Sequence, residues 1–126
     1  MYRKILIVED DIEFRIMLKK QLRNRGFEIL LANGGVMAMK IAKEEEPDLI
    51  LMDISMPILN GFSTCTLLKN DEKTKEIPIL VVSGLGETEV KSKLNEWEFD
   101  GFVPKPIDRN ELMTKISRIL KEQRAS

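Results

Sequence analysis

The chain reads as an α/β protein, a (βα)5 repeat in which one parallel five-stranded sheet is covered by helices on both faces. Three observations predict it. Five short β-rich runs recur at about 4–8, 27–32, 48–52, 78–82 and 101–104. Those around 5–8, 49–52 and 79–82 are continuously apolar, as strands buried on both sides must be, and the stretches between runs carry helical spacing.

Taken in order, Lys4-Ile5-Leu6-Ile7-Val8 forms the first strand and runs into Glu9-Asp10-Asp11. Phe14, Met17, Leu18 and Leu22 then make an apolar stripe at helical spacing, with Gly26 placed as a C-terminal stop. After the second strand, Met37, Ile41 and Ala42 mark a second helix that ends before Pro47. Leu49-Ile50-Leu51-Met52 is the third strand and is closed by Asp53; Phe62 to Leu68 predicts the third helix. Ile79-Leu80-Val81-Val82 ends on Ser83-Gly84, and Val90, Leu94 and Trp97 predict a fourth helix from about Glu87 to Glu96. Phe102-Val103-Pro104 leads into Lys105-Pro106. Leu112, Ile116, Ile119 and Leu120 then define the fifth helix, with Asp108 as its N-cap. Right-handed crossovers reduce the topologies open to such a chain to a few.

Composition narrows the function classes. At 126 residues, with 43% hydrophobic and 33% charged residues, the chain is one domain, 1–126, with a core and no signature of disorder. The 20 basic and 21 acidic residues leave no basic excess, so no direct nucleic-acid binding is expected. No stretch approaches a membrane span and a strand pattern begins almost at the first residue, which leaves no room for a signal peptide; a cytoplasmic protein is expected. Cys65 is the single cysteine, which rules out an intrachain disulfide and leaves a core residue or a reactive thiol. Histidine is absent, which removes histidine-dependent triads and histidine-ligated zinc from this chain. Any histidine that the chemistry needs comes from a partner.

The chemistry-bearing residues sit at strand ends. A carboxylate such as Asp53 at the end of a buried strand is costly to desolvate unless paired. Parallel packing would bring it beside Glu9 and Asp10, and that edge is where open α/β sheets bind ligands. Crowded carboxylates need protons or a cation, and an all-oxygen set favours a hard ion, Mg²⁺, with the backbone carbonyl of Ser55 as a further ligand. The competing reading is helix capping, which explains one acid well, most simply Asp11. Lys105, stiffened between two prolines, is either a structural counter-ion or a clamp for an anionic group transferred to Asp53. Ser83 is either a turn residue or a hydrogen-bond donor to an oxygen bound at the site, with Gly84 leaving the approach open. A carboxylate nucleophile, a metal, a lysine and a hydroxyl are together the parts of phosphoryl transfer, and the product would be an aspartyl phosphate.

In this arrangement the chain resembles a bacterial two-component response-regulator receiver domain of the CheY-like family, over essentially its whole length. The resemblance rests on Glu9-Asp10, on Asp53-Ile54-Ser55-Met56-Pro57 with Gly61 after it, on Ser83, and on Lys105-Pro106. It implies a doubly wound, flavodoxin-like three-layer sandwich with strand order 2-1-3-4-5. It further implies Mg²⁺-dependent phosphorylation of Asp53 by a phosphohistidine on a sensor histidine kinase or histidine phosphotransfer protein. Glu9, Asp10, Asp53 and Ser55 would hold the metal, Ser83 and Lys105 would meet the phosphoryl oxygens, and Phe102 would be the switch aromatic. The helix4-strand5-helix5 surface would be the one switched. Such a domain catalyses only its own phosphorylation and dephosphorylation.

Three positions depart from the family's usual pattern. Glu98-Phe99 stands where a small Gly-Ala pair is usual, Gly84 stands where alanine is common, and Phe102 lacks the hydroxyl of the frequent tyrosine. The plain alternative for Phe102 is a core residue. Of the competing classes, an aspartyl phosphatase would want a second acid where Ser55 stands, and a nucleotide or flavin binder would want a phosphate loop where Glu9-Asp10-Asp11 stands. A pseudo-receiver that binds partners without phosphorylation is the third. The sequence leaves open the downstream effector, a phosphorylation-dependent homodimer, and whether the domain acts alone or within a longer protein.

Overall fold

Parallel pairing organises the chain as its apolar runs demand. The computed structural model describes residues 3–54 and 61–125. Its elements are β1 (Lys4–Val8), α1 (Ile12–Arg23), β2 (Glu28–Ala32), α2 (Gly35–Glu45), β3 (Leu49–Asp53), α3 (Gly61–Lys69), β4 (Ile79–Ser83), α4 (Glu87–Lys93), a 3-10 turn (Glu96–Glu98), β5 (Gly101–Pro104) and α5 (Arg109–Ala125). All strand pairs are parallel and the order is β2-β1-β3-β4-β5. The expected doubly wound sandwich is the fold found.

Because a strand's side chains alternate in direction, each buried strand feeds two cores. Leu6, Val8, Ile50, Met52, Ile79, Val81 and Phe102 face Ala38, Ala42, Cys65, Leu68 and Val90 of α2, α3 and α4. Ile5, Ile7, Leu49, Leu51, Leu80, Val82 and Val103 face Leu18 and Leu22 of α1 and Leu112 and Ile116 of α5. Two stacked cores explain why β3 and β4 carry apolar residues at every position before their polar ends.

Helix ends follow local chemistry. Asp11 Oδ1 accepts a bond from Phe14 N (3.2 Å) at the start of α1. Asp108 Oδ1 accepts from Asn110 N (2.8 Å) and Glu111 N (3.1 Å), as its N-cap assignment requires. Gly26 follows α1 with φ +93°, a conformation that suits a residue without Cβ.

Three helices differ from expectation; in α1, Leu18 and Leu22 of the apolar stripe are buried but Met17 is 41% exposed. In α2 the buried stripe is Ala38 and Ala42, whereas Met37 is exposed. Small residues let α2 lie close to its neighbours, and a Cβ on Gly35 would come within 2.5 Å of Thr64 Oγ1 of α3. The fourth helix stops at Lys93 rather than Glu96, because Leu94 is extended and a new turn begins. That turn is held by Asn95 N donating to Glu98 Oε1 at 2.9 Å, and it turns Trp97 out to solvent (56% exposed) while Val90 and Leu94 stay buried. Among the described residues, no helix is long and apolar enough to cross a membrane.

An equally close approach lies at the end of β3. A Cβ on Gly61 would stand 2.5 Å from Ile54 Cα and 3.0 Å from the Asp53 carbonyl oxygen, so the first residue of α3 rests on the end of β3. Gly61→Ala must push this helix outward. The expected loss is about 1–3 kcal/mol of unfolding free energy in urea titration, the range for overpacking a dense site; unchanged stability would show that the helix end is free to shift.

Candidate functional site

Parallel register delivers the C-terminal ends of β1, β3, β4 and β5 to one edge, and main-chain bonds continue the ladder past them. Glu9 N donates to Ala32 O (3.0 Å), Ile54 N to Val82 O (3.2 Å) and Lys105 N to Ser83 O (2.8 Å). The pleat sorts what those ends present. Glu9, Asp53 and Lys105 continue the alternation that faces α1 and α5, while Ser83 and Phe102 continue the one that faces α2, α3 and α4.

On the first side, Asp53 is buried and its Oδ2 accepts from Lys105 Nζ at 2.8 Å, a charge-assisted bond and ion pair. The same ammonium lies 4.7 Å from the centre of the Phe14 ring, a cation–π contact that gives it a second support. Lys105 is followed by a cis peptide to Pro106. Carboxylate oxygens of Glu9, Asp10 and Asp53 lie within 4.8 Å of one another. Three acids against one nearby ammonium leave excess negative charge.

A proton on the buried Glu9 relieves that excess. Burial first, then its hydrogen bond to Asp53 and the Asp53 and Asp10 charges, push its carboxyl up to about 9, against the opposing pull of Lys105. Its Oε2 is buried and has no hydrogen-bond partner among the described residues. An orphaned carboxyl oxygen beside two further acids fits a hard, oxygen-seeking cation such as Mg²⁺, and Glu9, Asp10 and Asp53 are the residues that could hold it. Capping does not compete for these ligands, because Asp11, a different acid, caps α1.

The other expected residues fall into place unevenly. Ser83 is fully buried, and its Oγ accepts a bond from Leu85 N at 2.8 Å, so the turn role is filled in this state. Among the described residues, nothing lies within 4 Å of where a Cβ on Gly84 would stand, in keeping with an open approach. Phe102 is 8% exposed and packs inward with Val81, Val90 and Leu94. Ser55, the fourth expected ligand, lies with Met56 and Pro57 outside the described residues. Cys65 is in the core, and burial pushes its thiol up to about 12, which removes the reactive-thiol alternative. Sequence reasoning placed Phe14 in the core stripe and missed its ring beneath Lys105. The available signal was its position in the first turn of the helix that follows the acids.

Comparison with known proteins agrees with this geometry. A family model described as the response regulator receiver domain matches residues 5–117. The DNA-binding dual master transcriptional regulator RpaA of Synechocystis is 30% identical over 118 residues, which are 94% of this chain and 49% of that protein. The chain thus spans about half the length of the curated relatives it matches. Among solved structures, Vibrio cholerae chemotaxis protein CheY4 superposes with a TM-score of 0.87 at 27% identity, covering 94% of this chain and 99% of that one. The receiver domain of the sensor histidine kinase PA1611 from Pseudomonas aeruginosa, which has a magnesium ion coordinated in its active-site cleft, gives 0.87 at 25% identity, with 96% and 99% coverage. The acids at the ends of β1 and β3, the lysine after β5 and the matched profile lead to one conclusion: this chain belongs to the response regulator receiver domain family.

Proposed function

We propose that Asp53 is the phosphoacceptor of a two-component phosphorelay, that residues 1–126 act as one receiver unit, and that the donor is a phosphohistidine on a sensor histidine kinase or histidine phosphotransfer protein. The observation that carries this reading is the Asp53–Lys105 contact of 2.8 Å at the centre of a three-acid cluster. A buried aspartate held by one ammonium, beside acids that a cation would neutralise, is a nucleophile in a prepared electrostatic setting. The absence of histidine fits, since the donor nitrogen then belongs to the partner.

A carboxylate oxygen of Asp53 forms the new bond to phosphorus while the bond from phosphorus to the histidine nitrogen breaks, and the electron pair stays on that nitrogen. Lys105 moves its ammonium from the free carboxylate to the phosphoryl oxygens, remaining over Phe14. Glu9, Asp10 and Asp53, with the Ser55 carbonyl, are the proposed ligands of Mg²⁺, which when bound supplies positive charge against the acids and the phosphoryl group. Ser83 exchanges its bond from Leu85 N for one donated to a phosphoryl oxygen, and its loop draws inward. Phe102, across the same face, reads that movement, so the surface of α4, β5 and α5 differs between the two states.

Incubation with acetyl phosphate and Mg²⁺ should add one phosphoryl group by intact mass, and Asp53→Ala should add none; labelling that persists in Asp53→Ala would place the acceptor elsewhere. Lys105→Ala should bind Mg²⁺ yet lose roughly 100-fold in labelling rate, the scale for removing one preorganised positive donor.

The Glu9 proton gives a pH signature. With its carboxyl at about 9 rather than in the usual carboxylate range, the folded metal-free protein keeps a proton that the unfolded chain has lost. Stability of the metal-free form therefore falls as pH rises between those values, and Glu9 would have to lose its proton to hold Mg²⁺. Calorimetric titration near neutral pH in buffers of different ionisation enthalpy should report release of about one proton per Mg²⁺. The Glu9→Gln variant should release none and should show a flatter melting temperature from about pH 6 to about pH 8.

A further inference from the structure

One stripe of α3 is tied along its length to the segment that joins α4 to β5. Lys93 Nζ lies 5.3 Å from the centre of the Phe62 ring. Thr66 Oγ1 donates to Glu98 Oε2. Lys69 Nζ pairs with Asp100 Oδ2 at 2.9 Å and also donates to Ile77 O at 3.0 Å. Positions 62, 66 and 69 are i, i+4 and i+7, so they share one face of the helix. Their partners 93, 98 and 100 follow in the same order along the connecting segment.

Each of two rungs has one partner buried and one facing solvent, where Thr66 and the Asp100 side chain (41% exposed) lie. Glu98 is 4% exposed and holds the turn through Asn95 N as well as Thr66, and the Lys69 side chain is 7% exposed. Asp100 Oδ2 also accepts from Ile79 N at 2.7 Å, which fastens the same acid to the start of β4. A buried carboxylate or ammonium that loses its hydrogen-bond partner is left unsatisfied, so the bonds made by Glu98 and Lys69 couple the connecting segment to α3. At its other end α3 begins at Gly61, seated against Ile54 Cα and the Asp53 carbonyl.

We infer that α3 is a second transmission route in this protein: a rigid rod that rests on the strand end carrying Asp53 and drags the α4–β5 segment through the Thr66–Glu98 and Lys69–Asp100 rungs. It runs beside the Ser83 and Phe102 route and does not require it. The inference rests on the reading of Asp53 as phosphoacceptor, which supplies the two states that the rod connects. Glu98, in the departure from the family's small pair, makes the middle rung: a Gly-Ala pair offers no carboxylate to Thr66.

Trp97, the single tryptophan, sits exposed on the tied turn and serves as the reporter. With Mg²⁺ and acetyl phosphate, intact mass reads loading and Trp97 emission reads movement of the turn. The wild-type chain should load and shift its emission. Thr66→Val/Lys69→Met should load to the same extent with at least half of the shift gone, and Thr66→Ser, which keeps the hydroxyl, should restore the wild-type response. A loaded Thr66→Val/Lys69→Met protein with the complete shift would overturn the inference.

Failure of the wild-type chain to load would instead overturn the phosphoacceptor reading, and the rod is then read without phosphate. Gly61→Ala displaces α3 at its start, so Trp97 emission should differ from wild type, and that difference should vanish when Thr66→Val/Lys69→Met is added. Identical emission in Gly61→Ala and wild type would overturn the rod.

Discussion

Uncompensated negative charge at the edge of β1 and β3 is the constraint to which the site conforms. Glu9 and Asp53 are buried, their oxygens and those of Asp10 fall within 4.8 Å, and Lys105 pairs with Asp53. At an effective dielectric of about 20, two full charges at that separation repel by roughly 3–4 kcal/mol. That is a large share of the about 5–15 kcal/mol that holds a domain together. The protein meets it by pairing Asp53 with Lys105 and by keeping a proton on Glu9. In the proposed function both measures are reversible, one by a divalent cation and the other by an anionic group, which would make the cluster responsive as well as tolerable.

Much of this was legible in the residues. Continuous apolar runs could only be two-sided parallel strands, and polar residues that interrupt them at one end had to meet at one edge. The acids, Ser83, Lys105 and the capping roles of Asp11 and Asp108 follow from that logic. The misreadings share a cause. Met37 and Trp97 are large and apolar, and periodicity alone assigned them inward, yet the close approach of α2 to α3 wanted Ala38 and Ala42, and the turn at Asn95 ended α4 one turn early. Hydrophobicity says that a residue prefers burial, whereas packing distance decides which residue fits.

What stayed hidden was side-chain pairing between distant segments. Glu98 read as an anomaly at a place where small residues are usual; only the fold brings Thr66 to it, and only the fold sets Asp100 against Lys69. The contact of Lys105 with Phe14 spans the chain in the same way. Local rules carry the elements and their ends, while cross-sheet partners depend on a topology that has to be built first.

The alternation of strand side chains divides the molecule into two chemical territories. Acids and lysine belong to the layer of α1 and α5, while Ser83, Phe102 and the tied α3 stripe belong to the layer of α2, α3 and α4. A sheet one residue thick separates Glu9, Asp53 and Lys105 from Phe102 and the tied stripe of α3, with Ser83 reaching the site from the second side. Substitutions that repack one layer can therefore leave the packing of the other untouched. Duplicated copies of such a chain have two independent directions in which to diverge.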